Sequence, residues 1–80
     1  MKVRVRFFAL YEELTGRDEE EYVLKPGSKV EDLIDLVVEK HESMKDVTGM
    51  LVAINNSFVK YDASLKDLED VALFPPVSGG

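Results

Sequence analysis

Hydrophobic and polar residues alternate from Lys2 to Leu10. Val3, Val5 and Phe7 fall on one face, and Arg4, Arg6 and Phe8 on the other. A period of two with β-branched and aromatic residues predicts a strand. Phe8 interrupts the polar side, so it either ends the strand and turns inward or stands as an aromatic on an exposed sheet face. Ala9 to Leu14 reads as a short helical turn, closed by Gly16 beyond its C-terminus. Glu20 to Lys25 is a second strand, with Tyr22 and Leu24 on one face and Val23 on the other. It forms a hairpin with the first, and Pro26-Gly27 is a turn. Ser28, followed three residues later by Glu31, reads as a capping box. The helix it opens carries Val30, Leu33, Ile34 and Val37 at helical spacing, and Leu36 and Val38 widen the stripe. Thr48-Gly49 is loop. Leu51 to Asn55 is a third strand, Asn55-Asn56-Ser57 a turn, and Phe58 to Tyr61 a short fourth strand. Leu65 and Leu68 anchor the connection to a last strand, Val71 to Phe74.

Two strands, one long helix and two or three more strands give an α+β pattern. The helix covers one face of the sheet and leaves the other to solvent or a partner. The 80 residues hold one domain, read as a body over 1–74 and a tail over 75–80. The net charge of −6 argues against a nucleic-acid binder and favours a partner with a basic surface. With no cysteine there is no disulfide, thiolate nucleophile or cysteine metal site, and one histidine makes no histidine-rich site. No metal site is expected. No apolar run is long enough to span a membrane, and no signal peptide precedes the first strand. The chain reads as cytoplasmic.

Familiar catalytic arrangements are missing: no phosphate-binding glycine loop, no Gly-x-Gly-x-x-Gly, no His-Glu-x-x-His. Asp32 with Asp35 reads as a solvated helix face, His41 as a capping or surface residue, and Glu19 to Glu21 as a charged strand that discourages edge-to-edge pairing. The distinctive stretch is the end, Pro75-Pro76-Val77-Ser78-Gly79-Gly80. Two prolines cannot continue a strand ladder and favour extended backbone. The six residues reach at most ~20 Å. Gly79 and Gly80, lacking Cβ atoms, fit a slot too narrow for side chains. The α-carboxylate of Gly80 is the one reactive group the tail offers.

Phe7-Phe8-Ala9, Gly16 and the run from Asp70 to Gly80 together resemble the ubiquitin-like sulfur-carrier family, within it the small subunit of molybdopterin synthase. The related thiamin carriers also end in Gly-Gly, but they are generally shorter and usually lack the double proline. The resemblance implies a β-grasp fold: a mixed sheet of four to five strands with one main helix on one face. It implies that an adenylating enzyme of the ubiquitin-activating type uses ATP on Gly80, and that Gly80 then becomes a thiocarboxylate. The large synthase subunit receives the tail, and sulfur passes to a cyclic pterin precursor during molybdenum or tungsten cofactor synthesis. The assembly implied is two large and two small subunits. The chain would be an enzyme only as a subunit, with no cofactor of its own. Residue by residue, Gly80 is the thiocarboxylate site, Gly79 gives slot clearance, and Pro75, Pro76, Val77 and Ser78 form the docking stem. Phe8 and Phe74 match aromatics that meet the large subunit. Glu12 stands where many members have Arg, which removes any salt bridge made by that Arg. Thiamin synthesis, tRNA thiolation and protein modification through Gly80 remain alternative uses of the same tail.

Overall fold

The computed structural model describes residues 1–76. Its elements are β1 (Lys2–Phe7), α1 (Leu10–Thr15), β2 (Glu19–Val23), α2 (Val30–Lys40), a 3-10 turn (Glu42–Met44), β3 (Leu51–Ile54), β4 (Ser57–Val59) and β5 (Asp70–Phe74). The five strands form one mixed sheet in the order β2-β1-β5-β3-β4. β1 runs parallel to β5, and the other pairs are antiparallel. The α+β architecture with one main helix is the expected one.

Local chemistry accounts for most boundaries. Alternation in β1 buries Val3, Val5 and Phe7 and exposes Lys2, Arg4 and Arg6. α1 stops at Gly16, whose φ of 71° is left-handed and whose N–H donates to the Glu12 carbonyl at 2.9 Å. β3 and β4 are joined through Asn55 (φ 53°) and Asn56 (φ 64°), two left-handed residues of the kind a tight hairpin needs. On α2, Val30, Leu33 and Val37 are buried and join the inward residues of the strands in one core. Glu31, Asp32, Asp35, Glu39 and Lys40 are exposed.

Three details depart from the sequence reading. The N-cap of α2 is Lys29, not Ser28, and Asp32 in place of Glu31 accepts the N-cap N–H at 2.8 Å. Ser28 is already committed: its N–H donates to Lys25 and its carbonyl accepts from Leu65. Leu68 does not anchor its segment by burial, being 77% exposed at φ 65°. Its N–H donates to the Lys2 carbonyl instead, while Leu65 packs in the core. His41 does cap α2, its backbone N–H donating to the Val37 carbonyl at 2.8 Å, but its side chain is only 14% exposed and is no free surface group.

That histidine belongs to a cluster around Glu20, an inward residue of edge strand β2. The Glu20 carboxylate accepts from His41 Nε2 at 2.5 Å and from the Tyr22 hydroxyl at 3.0 Å, and pairs with Lys40 Nζ at 2.8 Å. His41 also packs edge-on against Phe7. Burial opposes the Glu20 charge, but the hydrogen bonds from Lys40, His41 and Tyr22 outweigh it and hold the carboxyl down at about 2. Burial, and then the bond to Glu20, push the Tyr22 hydroxyl up. The Glu19 to Glu21 run does lie on an edge strand, yet its middle member ties that edge to the end of α2.

Candidate functional site

Helix α2 covers one face of the sheet. The other face is built from the outward positions of each strand, and it is polar at one side and aromatic at the other. On β1 and β2, Lys2 faces Glu21 at 3.8 Å, and Arg4 faces Asp70 of β5 at the same distance. Toward the end of β5 the character changes. Burial alternates without a bulge along β5, so Val71 and Leu73 point inward and Phe74 outward. Phe8 continues the β1–β5 ladder by one bond, its N–H donating to the Leu73 carbonyl at 3.2 Å. The rings of Phe8 and Phe74 stack at 4.5 Å and 15°.

A third ring completes the cluster. Phe58 on β4 lies edge-on to Phe74 at 6.1 Å and is 70% exposed. The register explains its place: Phe58 pairs with Ala53, and Ala53 with Ala72, so all three share the outer face. Ala53 and Ala72 are small, so the rings rise on either side of a groove lined by Arg6, Phe8, Ala53, Phe58, Ala72 and Phe74. Such a groove on an exposed face is suited to burial against another protein. The sequence reading named Phe8 and Phe74 but gave Phe58 no role. Counting back through the Asn55-Asn56 turn is the signal that places Phe58 beside them.

Pro75 and Pro76 follow Phe74 directly; Pro75 is partly buried and Pro76 exposed. Val77, Ser78, Gly79 and Gly80, the rest of the expected stem and its reactive end, lie outside the described residues. Glu12 and Glu13 occupy the first turn of α1, and both are exposed. Among the described residues no cluster of His, Asp or Glu is placed to hold a metal ion, and no helix is long and apolar enough to cross a membrane. The described residues thus offer an exposed aromatic groove that runs up to Phe74, with Pro75 and Pro76 directly after it.

The ThiS family model matches residues 5–80. The molybdopterin synthase sulfur carrier subunit of Chlamydomonas reinhardtii is 34% identical to this chain, over the whole of both chains. The fold is similar to that of a Pyrococcus furiosus protein assigned as molybdopterin converting factor subunit 1, with a TM-score of 0.90 and 37% identity over 96% of this chain and 99% of that one. It is also similar to a chain in the complex of subunits 1 and 2 of molybdopterin-converting factor from Helicobacter pylori. That match has a TM-score of 0.69 and 26% identity over the full length of both chains.

Proposed function

The chain belongs to the ThiS family, and from that membership we propose that it is the sulfur-carrier small subunit of a molybdopterin synthase, acting in the cytoplasm. The observation that carries the proposal is the aromatic groove of Phe8, Phe58 and Phe74 set directly before a Pro-Pro-Val-Ser-Gly-Gly terminus. One feature grips a partner and the other delivers a reactive end into it.

A carboxylate is a poor electrophile because its charge is delocalised and it has no good leaving group. An adenylating partner corrects both. The Gly80 carboxylate oxygen attacks the α-phosphorus of ATP, and pyrophosphate departs. Sulfide-level sulfur then adds to the acyl carbon and AMP leaves, which gives the thiocarboxylate. Its sulfur is the nucleophile for a cyclic pterin precursor held by the large subunit, and hydrolysis returns the carboxylate. General acids and bases come from the partners. The groove seats the large subunit, in an assembly of two large and two small chains.

Intact mass after co-expression with the adenylating enzyme and a sulfur source tests the first half. The expected result is a sulfur-for-oxygen gain lost on removing Gly80, and no gain at all overturns the proposal. Conversion of the pterin precursor on adding the large subunit tests the second half. A thiocarboxylate that forms but converts no precursor moves the chain to thiamin synthesis or tRNA thiolation. Isopeptide remnants of Gly80 on lysines in cell digests assign it a modifier role.

A further inference from the structure

The antiparallel register of β3 and β5 pairs Leu51 with Phe74. Each step back from Leu51 matches one step forward from Phe74, so Met50 comes opposite Pro75 and Gly49 opposite Pro76. Neither proline has an N–H, and the hydrogen-bonded ladder cannot follow the chain this far. Packing takes its place. A Cβ built on Gly49 would lie 3.2 Å from Pro76 Cβ and 3.4 Å from its Cγ, so the proline ring rests on the bare α-carbon. Gly49 has a φ of 71°, a left-handed conformation that disfavours a side chain on its own account. The segment beneath is pinned: Met50 is buried, and the Tyr61 hydroxyl donates to its carbonyl at 2.6 Å.

We propose that Gly49 is a positioning residue for sulfur delivery, a seat that holds Pro76 and so fixes the point from which residues 77–80 leave the body. The inference rests on the sulfur-carrier reading for its consequence, but the seat itself does not. Two prolines after a strand set a stiff direction only if something holds the second one. A side chain at 49 pushes the ring aside by a few tenths of an ångström at the base of a lever four residues long.

Gly27 supplies the control. Its φ is 89°, and nothing lies within 4 Å of a Cβ built there. Gly27→Ala therefore carries backbone strain without a clash, Gly49→Ala carries both, and Gly49→Asn keeps the clash while better tolerating the left-handed backbone. The chain has no cysteine, so Ser78→Cys accepts a single nitroxide label, and the amides it broadens report where the tail lies. Gly49→Ala and Gly49→Asn are expected to change that set, and Gly27→Ala to leave it alone. An unchanged set in both Gly49 variants overturns the seat, and this measurement needs no partner. In single-turnover transfer from unlabelled thiocarboxylate carriers to the large subunit, both Gly49 variants are expected to slow transfer about tenfold at saturation, with half-saturation within about twofold of the parent. Parental rates, or a loss confined to half-saturation, overturn the positioning role. A parent chain that carries no sulfur refutes the functional reading, while the label experiment still decides the seat.

Discussion

Replacing Glu20 by Gln keeps the shape of the side chain and removes the charge that Lys40, His41 and Tyr22 surround. The Glu20 side chain is 5% exposed and His41 14%, so solvent screens that contact little, while Lys40, 53% exposed, is screened more. The Glu20 carboxyl sits at about 2 in the folded protein, against an ordinary value of 4.5. The folded value is depressed, so the ionised form contributes stability above pH ~4.5, and that contribution is lost as pH falls toward ~2. Each tenfold change in proton affinity is worth about 1.4 kcal/mol, so the contribution is on the order of 3 kcal/mol near neutrality and about half that near pH 3. A domain of this size is stable by roughly 4–12 kcal/mol in total, so the cluster supplies a large share. Urea unfolding of parent and Glu20→Gln, followed from pH 7 to pH 2, isolates the effect because the other acids cancel in the difference. The gap should be on the order of 3 kcal/mol at neutral pH and close almost to nothing near pH 2. A gap that is absent, or constant with pH, refutes the electrostatic argument and leaves Glu20 a packing residue.

Phe58→Ser should change folding stability by no more than about 0.5 kcal/mol, because the ring is mostly exposed. The same change should weaken binding to the large subunit by roughly 2 kcal/mol, measured calorimetrically, if the groove is the interface. Phe74→Ala should lose at least as much, since its ring contacts both Phe8 and Phe58. Tyr11 places its hydroxyl in the core with no hydrogen-bond partner among the described residues, and burial, then the nearby Tyr61, push its ionisation up. Tyr11→Phe should therefore raise the melting temperature, by about 1 kcal/mol of stability; a loss of that size would mean the hydroxyl is bonded after all.

The sequence was most readable where one short-range pattern decides the outcome. Alternation settled β1, and Gly16 ended α1 as its conformational freedom requires, whereas the outward direction of Phe74 hung on a β5 without a bulge, which the structure supplies. It was least readable where two distant segments meet. Glu20 looked like one of three exposed acids, because its burial depends on where the end of α2 lands, some twenty positions further on. Ser28 has the better N-cap side chain, and only the pairing of its backbone groups with Lys25 and Leu65 leaves the cap to Lys29. Leu68 is apolar yet exposed, because the loop is held by its amide and not by its side chain. Phe58 needed the register across a hairpin before it joined Phe8 and Phe74.

The order of features along β5 constrains the partner as well as the carrier. Phe74, the last residue of the strand, lines the aromatic groove, and Pro75 follows it directly as the first residue of the proposed stem. Gripping the groove therefore fixes the root of the tail with no intervening joint. Six residues span at most ~20 Å from that root to the terminal carboxylate. If the proposed docking holds, an acceptor site opens within about that distance of the surface that covers Phe74. Lengthening the stem by two residues between Pro76 and Val77 separates reach from docking. Affinity for the large subunit should hold while transfer falls, because the added freedom dilutes the end near the acceptor. Transfer that survives the insertion undiminished would mean that the partner's own channel, and not the carrier's rigid root, aims the sulfur.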